Sequence, residues 1–163
     1  RMCRSFRLMF ANLVSALMVQ NKNDKALSAL DRCMEAIPAS TVPRGTESVA
    51  YVEAYYDLGQ PEKAQKVAEE ILYRVDGNLQ WFMSMSQKEM RSCSTDIKEA
   101  LNIKVQLLDA YQRYDRATYQ EALSNIMNQI EVFLNNGVNL YDSRRQNHPL
   151  DYMMRITMRG YMF

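Results

Sequence analysis

Glycine and proline are scarce in this chain, five and four among 163 residues. Long loops and β meanders with many tight turns need both, so their scarcity argues against a sheet-rich fold. Histidine is rarer still. His148 in "RRQNHPLDY" is the single candidate for a general base, with Asp151 to orient it, and a surface or packing histidine beside a proline is the simpler account. The glycines stand at 45, 59, 77, 137 and 160, too scattered to form a phosphate-cradling loop. Cys3, Cys33 and Cys93 are widely spaced and odd in number, which is neither a metal pattern nor a disulfide framework; buried thiols are expected, and no cofactor. No apolar run reaches the 18 residues that would suggest a membrane span.

Net charge is also small, +1, which gives no reason to expect a polyanionic partner such as nucleic acid. Its distribution is uneven. Up to residue 25 there are five Lys or Arg against Asp24 alone, and after residue 137 four Arg against Asp142 and Asp151. Arg1, Arg4 and Arg7 recur every three residues and would share a helix face; without interleaved aromatics they read as a solvated face. Glu69 and Glu70 are adjacent, so they cannot face a common substrate as acid and base, and they read as surface. The chain opens on Arg1 rather than Met and has no signal-peptide layout, so it is read as a fragment of a longer protein.

What is abundant is Leu, Met, Ala, Glu, Lys, Gln and Arg, the residues that favour helices, and the expected class is all-α with about seven or eight helices. Phe6, Phe10, Leu13, Val14, Leu17 and Met18 predict a helix over about 4–20. Ala26, Leu27, Leu30, Cys33, Met34 and Ile37 predict a second, closed by Pro38. Val49, Val52, Ala54, Tyr55 and Leu58 predict a third, broken at Gly59. A fourth, with Pro61 in its first turn, carries Ala64, Val67, Ala68, Ile71 and Leu72 and should stop at Gly77. "NLQWFMSMSQKEM" then suggests an inserted helix over about 78–92. Asp96 with Glu99, and Thr118 with Glu121, are expected to cap the last two helices of a third hairpin, and "NNG" at 135–137 to end it.

The hairpins can be laid on one another. "NKNDKALSAL" aligns with "GQPEKAQKVA", placing Ala26 and Ala64 at one point, 38 residues apart. This resembles the tetratricopeptide repeat, with Ala26, Ala64 and, in a degenerate third unit, Ala122 at the second-helix alanine, and Gly59 at the turn glycine. Asn21 stands where unit one should have that glycine, and the connector between units is about four residues longer than the family's. The expected domain is 1–135, with units of about 4–38, 47–76 and 96–135. Residues 138–163, with Met153, Met154, Met158 and Met162 among arginines, are expected to form a capping helix.

More specifically, "RMCRSFRLMFANLVSAL", "KALSALDRCMEAIP", "VEAYYDLGQPEKA" and "WFMSMS" resemble the C-terminal region of large bacterial polytopic membrane proteins that themselves resemble protein O-mannosyltransferases. The resemblance covers roughly 1–135. It implies an appendage to a membrane protein, attached through an N-terminal region absent from this sequence, and, by analogy with lipid-linked sugar glycosyltransferases, the periplasmic side. Two functions follow as expectations: a non-catalytic protein- or peptide-binding scaffold, or an accessory part that gates or presents acceptor to the membrane-embedded transferase. For the first, repeat stacks present a surface built from the first helix of each unit, so Asn12, Gln20, Glu53 and Tyr56 are the candidate contacts. Tyr55, Tyr56, Trp81 and Phe82 could line such a groove or simply pack between helices.

Overall fold

The structure, a computed structural model, describes residues 2–140. Seven α-helices form, with no strand among the described residues: α1 Met2–Val19, α2 Asn23–Ala36, α3 Val49–Asp57, α4 Pro61–Met83, α5 Gln87–Ser92, α6 Ser94–Tyr114 and α7 Arg116–Asn135. A short 3-10 turn, Thr46–Ser48, leads into α3. The chain divides into two compact units, Arg1–Arg74 and Val75–Phe163, which are described separately. The predicted capping helix falls almost wholly outside the described residues.

In the first unit the turns of both hairpins are built alike. Gly59 takes φ +70°, its amide donates to Tyr56 O at 3.0 Å, and the Gln60 amide reaches back to Tyr55 O at 2.8 Å. Asn21 takes φ +55°, with its amide donating to Met18 O and that of Lys22 to Leu17 O, both at 2.9 Å. Both pairs satisfy carbonyls that the helix end would otherwise leave open, and both need a left-handed residue, which glycine and asparagine tolerate. Asn21 therefore performs the work of the missing turn glycine.

The 38-residue correspondence extends into the core. Val14 and Val52, Ala26 and Ala64, Leu30 and Ala68, and Cys33 and Ile71 are all buried, pair by pair. Ala26 and Ala64 are completely enclosed, so Ala64→Leu should overpack its contact and lower stability by about 1–3 kcal/mol. A urea midpoint unchanged by that substitution would remove the physical basis of the alignment. Ala122, the proposed third copy, is only half-buried, and the α6–α7 turn uses Asp115 with negative φ instead of a left-handed residue.

Two expectations for α1 are corrected. Phe6 and Leu13 are about half exposed, whereas Arg7, assigned above to a solvated face, is fully buried. Its guanidinium donates to Pro43 O at 2.9 Å, Ile37 O at 3.1 Å and Val42 O, and pairs with Glu47 Oε1 at 3.3 Å. The connector from Ile37 to Glu47 contains no α-helix, so its inward carbonyls need side-chain donors, and Arg7 supplies them. From the other side Arg44, also buried, bonds Glu70 Oε2 at 2.9 Å and Ile37 O at 3.3 Å, while Arg74 donates to Arg44 O at 2.9 Å. Three arginines thus fasten the lengthened connector.

Buried tyrosines join these helices. The Tyr51 hydroxyl donates to Arg7 O and lies 3.4 Å from Cys33 Sγ; the Tyr55 hydroxyl donates to Asp31 Oδ1 at 2.8 Å, which also takes Lys63 Nζ. Burial first, and then the hydrogen bonds to Cys33 and Asp31, push both phenols above the ordinary value. The neutral phenol is favoured in the folded chain. As pH rises past about 10 the unfolded chain loses these protons while the folded chain retains them, so stability should fall with a slope of about 1.4 kcal/mol per pH unit for each tyrosine. Urea unfolding between pH 9 and pH 11 (about this window) should show that fall, and Tyr51→Phe should lessen it.

The second unit corrects the predicted inserted helix. The helix expected to stop at Gly77 runs on without interruption to Met83, so residues 78–83 extend α4, and a new helix, α5, begins only at Gln87. Nothing would meet a Cβ at Gly77, and a single solvated glycine costs only about 1 kcal/mol of helix, too little to end it. The capping box is at Ser86 and Glu89 rather than at Asp96 and Glu99. Cys93 precedes α6 without a side-chain cap, and at α7 Asp115 accepts the Thr118 amide at 3.1 Å. Leu79, Ile97, Leu101, Leu107, Ile126, Ile130 and Phe133 form this unit's core. Lys104 is buried among them at 4% exposure, its ammonium held by Asp76 Oδ1 at 2.6 Å, Asn125 Oδ1 at 2.5 Å and Gln129 Oε1 at 2.9 Å.

Candidate functional site

In the first unit, α1 and α3 enclose a cleft of about 300 Å³. Its walls run from Ala11 to Val19 on one helix and from Ala50 to Asp57 on the other, about 10–12 Å of each at 1.5 Å per residue. Ala11, Ser15, Ala50 and Ala54 keep the cleft open because they are small, and Val14 and Tyr51 close its floor. Val19, 82% exposed, stands at its edge, and Leu8, 54% exposed, lies one turn before Ala11 on the same face of α1. The charged lining residues are Glu53 and Asp57, one turn apart on α3.

Of the residues expected to make contact, Glu53 lines this cleft. Asn12, on α1, and Gln20, in the turn just after it, are exposed without lining the cleft, and Gln20 Oε1 accepts from Lys22 Nζ at 2.6 Å. Tyr56 is half-buried on another side of α3, its hydroxyl enclosed. Sequence reasoning missed Ala50, Ala54 and Asp57. Their signal was the spacing of small residues and one acid around Glu53, which becomes informative only once the facing side of α1 is known.

The other candidates resolve differently. Tyr55 is buried and Phe82 nearly so, whereas Trp81 is 61% exposed with its ring 5.2 Å from that of Phe82. Glu70 is the partner of buried Arg44, while its neighbour Glu69 is exposed. His148 and Asp151 lie outside the described residues. Among the described residues, no group of three His, Cys, Asp or Glu could hold a metal ion, and no helix is long and apolar enough to cross a membrane. No family model, curated protein or solved structure matches the chain.

Proposed function

We propose that this chain is a non-catalytic protein-binding domain whose α1–α3 face receives a short peptide segment of a partner. The supporting observation is the cleft itself, a trough two helical turns long with small side chains along its walls and exposed Leu8 and Val19 beside it. Extended chain advances about 3.3 Å per residue, so three or four residues of a partner fit along it. Apolar side chains of that segment would cover the alanines, and a donor on it would meet Glu53 or Asp57. On the resemblance carried by "VEAYYDLGQPEKA" and "WFMSMS", the domain belongs to a bacterial membrane protein of the O-mannosyltransferase-like kind and works on its periplasmic side.

Ala50 and Ser15 are exposed and line the cleft, so large side chains there would fill it without entering the core. Peptides selected from a displayed random library against the full chain should lose at least tenfold in affinity (about 1.4 kcal/mol) toward Ala50→Arg and Ser15→Trp, with the melting transition retained. Equal affinity for the wild type and both variants would place binding elsewhere. Turnover of a lipid-linked sugar by the chain alone would overturn the non-catalytic reading.

A further inference from the structure

A second cleft in the first unit lies on the opposite pair of helices, α2 and α4, and encloses about 440 Å³, within the size range of small-molecule sites. We propose that it binds a small organic anion, a single carboxylate or phosphate group carrying a short apolar body. The anchor is Arg44. It is only 3% exposed, and its guanidinium is fixed by Nε on Glu70 and by Nη1 on Ile37 O. Nη2 takes no hydrogen-bond partner among the described residues and is not wholly enclosed, so a pre-positioned donor remains unused at the cleft. Guanidinium suits planar oxyanions, and one already held in place loses little freedom on binding.

The rest of the lining agrees with this reading. Lys66 is exposed on the same wall and makes no hydrogen bond or ion pair among the described residues, so it can close over an oxyanion held by Arg44. Two of the three lining carboxylates are already engaged, Asp31 by Lys63 at 2.7 Å and by Tyr55, and Glu70 by Arg44; Glu35 is 72% exposed at the rim, where water screens its charge. The lining donors left without a partner are Arg44 Nη2 and Lys66, both cationic. Met34, Pro38 and Val67 supply an apolar surface for the body of the ligand.

The test uses the full chain and three probes: N-acetyl-leucine, butyl phosphate and N-acetyl-leucinamide, which keeps the apolar body without the charge. N-acetyl-leucine or butyl phosphate should bind saturably at millimolar concentration (about 1–10 mM) and shift the amide resonances of Ala39 and Val67; the amide should not. Which anion binds more tightly tells whether the site takes carboxylate or phosphate. Lys66→Gln should weaken binding about threefold and Lys66→Glu about tenfold, and since Lys66 is exposed both variants keep the fold. Arg44→Lys, which retains charge but loses the fork, should weaken it further. No saturable binding of either anion, equal binding of the amide, or an affinity unmoved by Lys66→Glu would each overturn the proposal. Shifts confined to α1 and α3 would do the same, while leaving the peptide-binding reading standing.

Discussion

Arg7→Ala should lower the stability of the chain by about 3–5 kcal/mol, the largest effect expected from any single change outside the apolar core. The substitution removes a fully buried guanidinium and leaves the carbonyls of Ile37, Val42 and Pro43 without their donor, together with a Glu47 carboxylate that is only 15% exposed. Each unsatisfied buried acceptor costs about 1–3 kcal/mol, and water entering the gap recovers part of that. The damage should propagate because Tyr51 donates to the carbonyl of Arg7 itself, and Tyr51 in turn contacts Cys33. Arg7→Lys should recover less than half of the loss, since one ammonium cannot span three carbonyls and a carboxylate. Urea unfolding of the two variants measures both numbers. A loss below about 1 kcal/mol for Arg7→Ala, the range of a surface substitution, would show that the connector does not depend on this clamp.

In the second unit Asp76→Ala should cost about 2–3 kcal/mol, because it strips the counter-ion from an ammonium that is 4% exposed. The figure is below that of a fully buried pair since the carboxylate of Asp76 is 36% exposed and its removal admits water. Lys104→Met should cost less, about 1 kcal/mol, as its apolar side chain fills the same space and Asp76 can be solvated. The informative result is the double variant. With both charges gone no buried charge is left unpaired, and the amide oxygens of Asn125 and Gln129 lose only a donor, so Asp76→Ala with Lys104→Met should be more stable than Asp76→Ala alone. If the two losses simply add, the ion pair does not couple the end of α4 to α6.

The same two cations show where sequence reasoning stops. The apolar stripes of α2, α3 and α4 and the break at Gly59 are local or periodic properties legible from spacing, and the alanines at 26 and 64 were legible from aligning the two hairpins. Arg7 was not, because its partners lie 30 to 40 residues away in a connector with no periodicity. Phe6 and Leu13 drew the predicted stripe of α1 toward themselves, although the helix turns Arg7 and Val14 inward. Gly77 misled for a different reason: in a helix whose neighbours favour continuation, one glycine is a modest penalty rather than a stop. The caps at Ser86 and Asp115 compete with similar motifs at Asp96 and Thr118, and only the backbone decides between them. For the cleft, Glu53 could be chosen from its position on a first helix, but the small residues that create the space are recognisable only when α1 and α3 face each other.

The peptide-binding reading is tested most directly by mapping a selected peptide onto the chain by amide resonance shifts, with Ala50→Arg as the control. Binding on the proposed face should move the resonances of residues 11–19 and 50–57 together, the two walls of the cleft, and Ala50→Arg should abolish those shifts without altering the rest of the spectrum. Saturable binding that leaves both stretches unperturbed, or that persists unchanged in Ala50→Arg, would contradict it.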